Sequence, residues 1–209
     1  MNKKCSTLFL VISLSLAIIP IVAFSEDTDA WVEKGKSYFR LEDFQNAIKC
    51  FNSAITINPN NSEAYTWRGY SYTYLNEYDL ALRDYNTAID INPKDTFAII
   101  NRGYIYYKYN EYDKAIAEYS KAINIDPNYT EAYNIRGWLY NELGSNEKAL
   151  SDLTIAINLK GFSYSYYSRG LVYRDLGRYK EALKDFRKAC DLGDEKGCKD
   201  FEELNNKLK

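Results

Sequence analysis

Residues 101–115, NRGYIYYKYNEYDKA, carry five tyrosines. A phenol offers a flat apolar face and a hydroxyl that both donates and accepts, so such a group is equipped for recognition by stacking and hydrogen bonding. Residues that move protons are scarce. The 209-residue chain contains no histidine, which removes the commonest general base and the commonest metal ligand. It also lacks a glycine-rich phosphate loop and a CxxC pair. Carboxylates are abundant, but the recurring ones have partners. Arg68, Arg102, Arg136 and Arg169 are each followed sixteen residues later by Asp84, Glu118, Asp152 and Asp185, a pattern that reads as ion pairs between helices, with arginine stems covering apolar surface. We therefore expect a binding protein that is not an enzyme, with no cofactor and no metal site. A formal net charge of −2 without a basic patch disfavours a nucleic-acid partner, which would need a phosphate-neutralising surface.

The elements that position the rings follow from a repeat. Glycine follows a basic residue at Lys34-Gly35, Arg68-Gly69, Arg102-Gly103, Arg136-Gly137 and Arg169-Gly170, at spacings of 34, 34, 34 and 33. A fixed period of this length is the signature of a solenoid. Alanine recurs at Ala47, Ala81, Ala115, Ala149 and Ala182, and seven residues later at Ala54, Ala88, Ala122, Ala156 and Ala189. Between the members of each pair stands Phe51, Tyr85, Tyr119, Leu153 or Phe186, and three units end in Pro59, Pro93 and Pro127. Each unit reads as two antiparallel helices: the first starts at a Ser or Thr that can cap it, and the second is closed by a proline.

These columns resemble the tetratricopeptide repeat, which repeat 1 matches through Trp31, Gly35, Tyr38, Ala47, Phe51, Ala54 and Pro59. The resemblance implies an all-α, right-handed superhelical solenoid of five helix-turn-helix units, 28–61, 62–95, 96–129, 130–162 and 163–196, followed by a capping helix, 197–209. Repeat 4 departs at Asn146, Leu153 and the proline-free junction NLKGFS, where a changed packing angle is expected. The Cys190 and Cys198 pair resembles that of cysteine-rich relatives, in which two such cysteines clip adjacent helices. A disulfide is the implied pairing.

In the family, columns on the first helix of each pair line the concave face. They sort the tyrosines. Tyr106, Tyr109 and Tyr112 fall in core columns, whereas Tyr70, Tyr104, Tyr107 and Trp138 form an inner-face row, flanked by Thr66, Thr73, Tyr74, Ile100, Lys108, Asn134 and Asn141. The expected function is an interaction scaffold that holds a peptide or protein segment in this groove. A small-ligand or glycan site using stacked aromatics is the alternative, and self-association through the inner face a further one. The basic and amide clamp with which some relatives hold acidic carboxyl termini is missing: its places hold Val32, Lys36, Trp67, Phe97 and Asn101, or one repeat later Thr66, Tyr70, Asn101, Glu131 and Ile135.

Residues 1–25 read as a secretory signal peptide, with MNKK, an apolar run broken by Pro20, and Ala23-Phe24-Ser25 before a cut at Glu26. An uncleaved anchor is the rival reading. Either way the repeats are expected outside the cytoplasm, periplasmic or extracellular, where a disulfide persists.

Overall fold

A computed structural model of the chain describes residues 27–209; the leader and its cleavage site lie outside the described residues. Those residues form eleven α-helices and no strand. The first helices of the repeats are α1 (Thr28–Arg40), α3 (Ser62–Tyr74), α5 (Thr96–Lys108), α7 (Thr130–Glu142) and α9 (Ser163–Asp175). The second helices are α2 (Phe44–Ile57), α4 (Tyr78–Ile91), α6 (Tyr112–Ile125), α8 (Asn146–Lys160) and α10 (Tyr179–Asp191), and α11 (Glu195–Lys207) follows. Each helix packs on its neighbours in the chain, which makes an all-α solenoid of helix pairs.

The helix starts correct one expectation. Thr28, Ser62 and Thr96 are first helical residues, and the caps are the residues before them. Asp27, Asn61 and Asp95 accept from the backbone N–H groups of Asp29, Ala64 and Ala98. A carboxylate or amide one position earlier satisfies an N–H that would otherwise be orphaned, so the hydroxyl is not needed for this. At the other end, Asn58, Asn92 and Asp126 are extended before their prolines, as the proline ring requires. Their side chains accept from the N–H two residues on, which folds the link between repeats into a tight turn.

Both alanine columns, and the column of Phe51, Tyr85, Tyr119, Leu153 and Phe186, are fully buried. Contact is close because the opposite helix presents glycine: a Cβ built on Gly35 would stand 2.5 Å from Phe51 Cε1. The outer tyrosine columns are less deep than expected. Tyr106 and Tyr112 are half-buried, and Tyr109 is 41% exposed, with its hydroxyl donating to Asp79 Oδ1 at 2.8 Å. Tyr109 caps the C-terminus of α5, past the stripe that faces the core. Leu41, Leu143 and Leu176 hold the same place and are exposed as well.

The arginines tie the solenoid lengthwise. Arg68 makes a two-pronged contact with Asp84, Nε to Oδ2 at 2.7 Å and Nη2 to Oδ1 at 2.6 Å, and its Nη1 donates to Asn52 Oδ1 of the preceding repeat at 2.6 Å. Arg102 holds Glu118 and Asn86, Arg136 holds Asp152 and Ser120, and Arg169 holds Asp185 and Thr154. Each guanidinium joins both helices of its own repeat to the second helix of the one before. After α10, Gly193 turns the chain at φ 90°, Asp194 caps α11, and the sulfurs of Cys190 and Cys198 are bonded across the turn.

Candidate functional site

Successive first helices touch one another, α1 with α3, α3 with α5 and α7 with α9, whereas second helices make no contact of that extent among the described residues. The first helices therefore form the tighter, inner side. Between α5 and α7 the space is taken by Tyr107, which meets Trp138 edge-to-face at 5.3 Å.

Around Tyr70 the rings interlock. Tyr70 stacks on Phe39 at 4.8 Å, meets Tyr74 at 5.0 Å and Phe97 at 4.9 Å edge-on, and approaches Trp67 at 5.9 Å. Phe44 stacks on Tyr74 at 5.0 Å. The Tyr70 and Tyr74 hydroxyls share a hydrogen bond of 3.2 Å. Burial raises the Tyr70 pKa, and the bond to Tyr74 adds to the rise, so the phenol stays neutral. This half-buried nest leaves Tyr74 52% and Tyr104 39% exposed.

Between Tyr70, Tyr74, Tyr78 and Tyr104 opens a cleft of about 420 Å³, floored by Thr73 and edged by Asn76 and Asn101. No lining residue carries a charge. Lys108 is exposed, its ammonium 6.0 Å from the centre of the Tyr104 ring. At the repeat 1 end Lys36 is bound by Glu33 and Glu63 and lies over the Trp67 ring, so its charge is already met.

The remaining inner-face candidates sort differently. Thr66, Thr73, Ile100 and Asn134 are buried and are not open groove surface. Thr66 donates to Asp95 Oδ2 at 2.7 Å and Thr73 shares a 3.1 Å bond with the Tyr85 hydroxyl. Asn134 donates to Thr130 O at 3.2 Å. Thr66 is covered from the start of the next repeat through Asp95, whereas Thr73 is covered from within its own repeat by Tyr85. Tyr107 and Trp138 are half-buried against the repeat core; Tyr70 and Tyr104 share the cleft, and the row runs on from Tyr104 to Tyr107 at 6.4 Å and from Tyr107 to Trp138, less exposed at that end. Asn141 reaches Asp175 at 3.4 Å. Sequence reasoning missed Asn76, Tyr78 and Asn101 as lining residues. Tyr78 stands 34 residues before Tyr112 and so shares its core column, and Asn76 sits at φ 60° in the turn before it, where a small amide is favoured by backbone conformation alone.

Among the described residues no group of three or more His, Cys, Asp or Glu is placed to hold a metal ion, and no helix is long and apolar enough to cross a membrane.

The fold and this face define a helix-pair solenoid with an open, aromatic-lined cleft on the side of its first helices. The chain belongs to the tetratricopeptide-repeat family: one model, described as tetratricopeptide repeat, matches residues 28–61, 62–95 and 163–193, and a second, described as TPR repeat, matches 103–144. No curated protein sequence matches it significantly. Among solved structures it is similar to MamA protein, at 26% identity and a TM-score of 0.68 over 81% of this chain and 93% of that one. It is also similar to Pseudomonas aeruginosa pilF, at 16% identity and 0.75 over 80% and 77% of the two chains. A third is YrrB, described as a TPR protein with an unusual peptide-binding site, at 19% identity and 0.65 over 81% and 88%. The latter two are likenesses of fold.

Proposed function

We propose that this protein is a non-enzymatic scaffold that holds a peptide or protein segment against the inner face of α3 and α5, in the cell envelope or outside the cell. The observation that carries the reading is the uncharged cleft between Tyr70, Tyr74, Tyr78 and Tyr104, where exposed aromatic rings border a depression on an otherwise charged chain. Grouped rings of this kind supply contact area at little cost in side-chain freedom. Members of the repeat family bind proteins or peptides, and the peptide site of YrrB is consistent with such use of the fold. The export part of the proposal rests on residues 1–25.

Capture from envelope extracts tests the reading, with the mature chain and its Tyr104→Ala variant as baits. A partner retained by the first and lost by the second, at unchanged melting temperature, supports it; equal retention by both sinks it. Intact mass of the exported protein tests the leader: a product beginning at Glu26 supports cleavage, and a product retaining residues 1–25 supports the anchor instead.

A further inference from the structure

We infer that the cleft between α3 and α5 is shaped for a proline-rich segment in the polyproline II conformation, an assignment that rests on reading the inner face as a peptide groove.

Charge is the first argument. Lysine, arginine, aspartate and glutamate make up 27% of the chain, yet none of them lines the cleft. An ammonium entering it would lose water without gaining a counter-ion, and the Lys108 ammonium, 6.0 Å from the centre of the Tyr104 ring, lies outside the lining. The occupant is therefore uncharged over the stretch that fills the cleft.

Ring geometry is the second. Tyr70 and Tyr74 stand at 88° to one another, edge against face, so the two rings make a corner in the wall. A pyrrolidine ring is compact, apolar and rigid enough to fill such a corner, and this is how proline-rich segments dock in aromatic-lined grooves.

Hydrogen-bond supply is the third. Of the two hydroxyls in the Tyr70–Tyr74 pair, one donates to the other, which leaves one O–H to spend. The Tyr104 hydroxyl has no partner among the described residues. Asn76 Oδ1, an acceptor at the edge, is already taken by the Tyr78 hydroxyl at 2.8 Å. The free O–H of the Tyr70–Tyr74 pair and the Tyr104 hydroxyl thus give the cleft donors for carbonyl oxygens, while Asn101, whose amide N–H is spent on Phe97 O, leaves its Oδ1 as an acceptor at the edge. Polyproline II has the matching profile: its carbonyls are not bonded internally, and each proline lacks an N–H. A helical occupant would have its carbonyls engaged, and an added strand needs a sheet edge, which no described element provides. A sugar brings many hydroxyl donors and would want carboxylate acceptors, which the cleft lacks.

Binding of synthetic decaproline, measured by titration calorimetry beside an acidic peptide, a helix-forming apolar peptide and a soluble glucan oligomer, tests the assignment. Decaproline should bind best. Tyr104→Ala should weaken it by roughly 30-fold or more, the scale of a binding hot spot, without shifting the melting temperature, and Tyr104→Phe should cost less than Tyr104→Ala. If another peptide binds in its place and is lost in Tyr104→Ala, the polyproline assignment falls while the peptide groove stands. If the glucan binds and Tyr104→Ala removes it, both fall. Binding of none of the four probes overturns the assignment, and the envelope-extract capture then decides the fate of the groove separately.

Discussion

Tyr85 and Tyr119 hold the same place in successive repeats, both fully buried, yet they differ in one bond. The Tyr85 hydroxyl meets Thr73 at 3.1 Å, whereas the Tyr119 hydroxyl has no partner among the described residues, because Tyr107 stands where Thr73 would be. Removing a satisfied buried hydroxyl loses a bond, and removing an unsatisfied one relieves a desolvation cost. Tyr85→Phe should therefore lower stability by about 1 kcal/mol while Tyr119→Phe leaves it unchanged or raises it, as urea denaturation of the two variants would show. A second pair separates binding from packing. Tyr104→Ala should leave the melting temperature nearly unchanged, since the ring is exposed, but Trp138→Ala should cost on the order of 1–3 kcal/mol, a half-buried share of a full aromatic truncation. Comparing their melting temperatures checks this, and equal losses would mean that Tyr104 is packing too. The sequence alone treated Tyr104 and Trp138 alike, because a column identifies the helix face and not the size of the neighbour across from it. Tyr107 decides the matter: it fills the gap between α5 and α7 and draws Trp138 in. The fully buried residues were legible for the opposite reason. Ala47, Phe51 and Ala54 and their counterparts meet the same surroundings in every repeat, so recurrence and burial coincide.

Helix limits were legible wherever punctuation is chemical. Proline closes α2, α4 and α6, and the period located each start; the caps were misread by one residue because hydroxyls and carboxylates sit side by side at Asp27-Thr28 and Asp95-Thr96. The column Asn52, Asn86, Ser120 and Thr154 went unnoticed, although each member is a small hydrogen-bonding side chain 34 residues from the last. Its role appears only when the next repeat brings up an arginine. In repeat 5 that column holds Arg187, which lies 5.7 Å from the centre of Phe201 in α11. The final helix also presents Gly197, whose added Cβ would stand 2.7 Å from Ala189 Cβ, so α11 docks as closely on α10 as a repeat's own helices do. The Cys190–Cys198 link, eight residues apart, closes a short loop, and opening it should cost about 2.6 kcal/mol by loop entropy. Cys190→Ser with Cys198→Ser should loosen α11 first, read as faster amide exchange in residues 195–207 than in α9. Unchanged exchange there would show that packing alone holds the cap.

Across the whole molecule the arginine contacts run one way: a guanidinium in each repeat from the second onward grips the repeat before it. Repeat 1 has Lys34 and the buried free thiol of Cys50 in place of the arginine and the acid. It is gripped through Asn52 but has no such internal brace. In a chain of units that contact only their neighbours, stability is a sum of local terms and opening starts where the sum is smallest. Amide exchange should therefore be fastest in α1 and α2, slowest in repeats 2 to 4, and intermediate at the disulfide-clipped end; protection as high in α1 as in α5 would count against the brace. A molecule built in this way has a polarity of wear: its lifetime under proteolysis is set at the end that carries α1 and α2, while the cleft one repeat inward remains sheltered until that first pair of helices has gone.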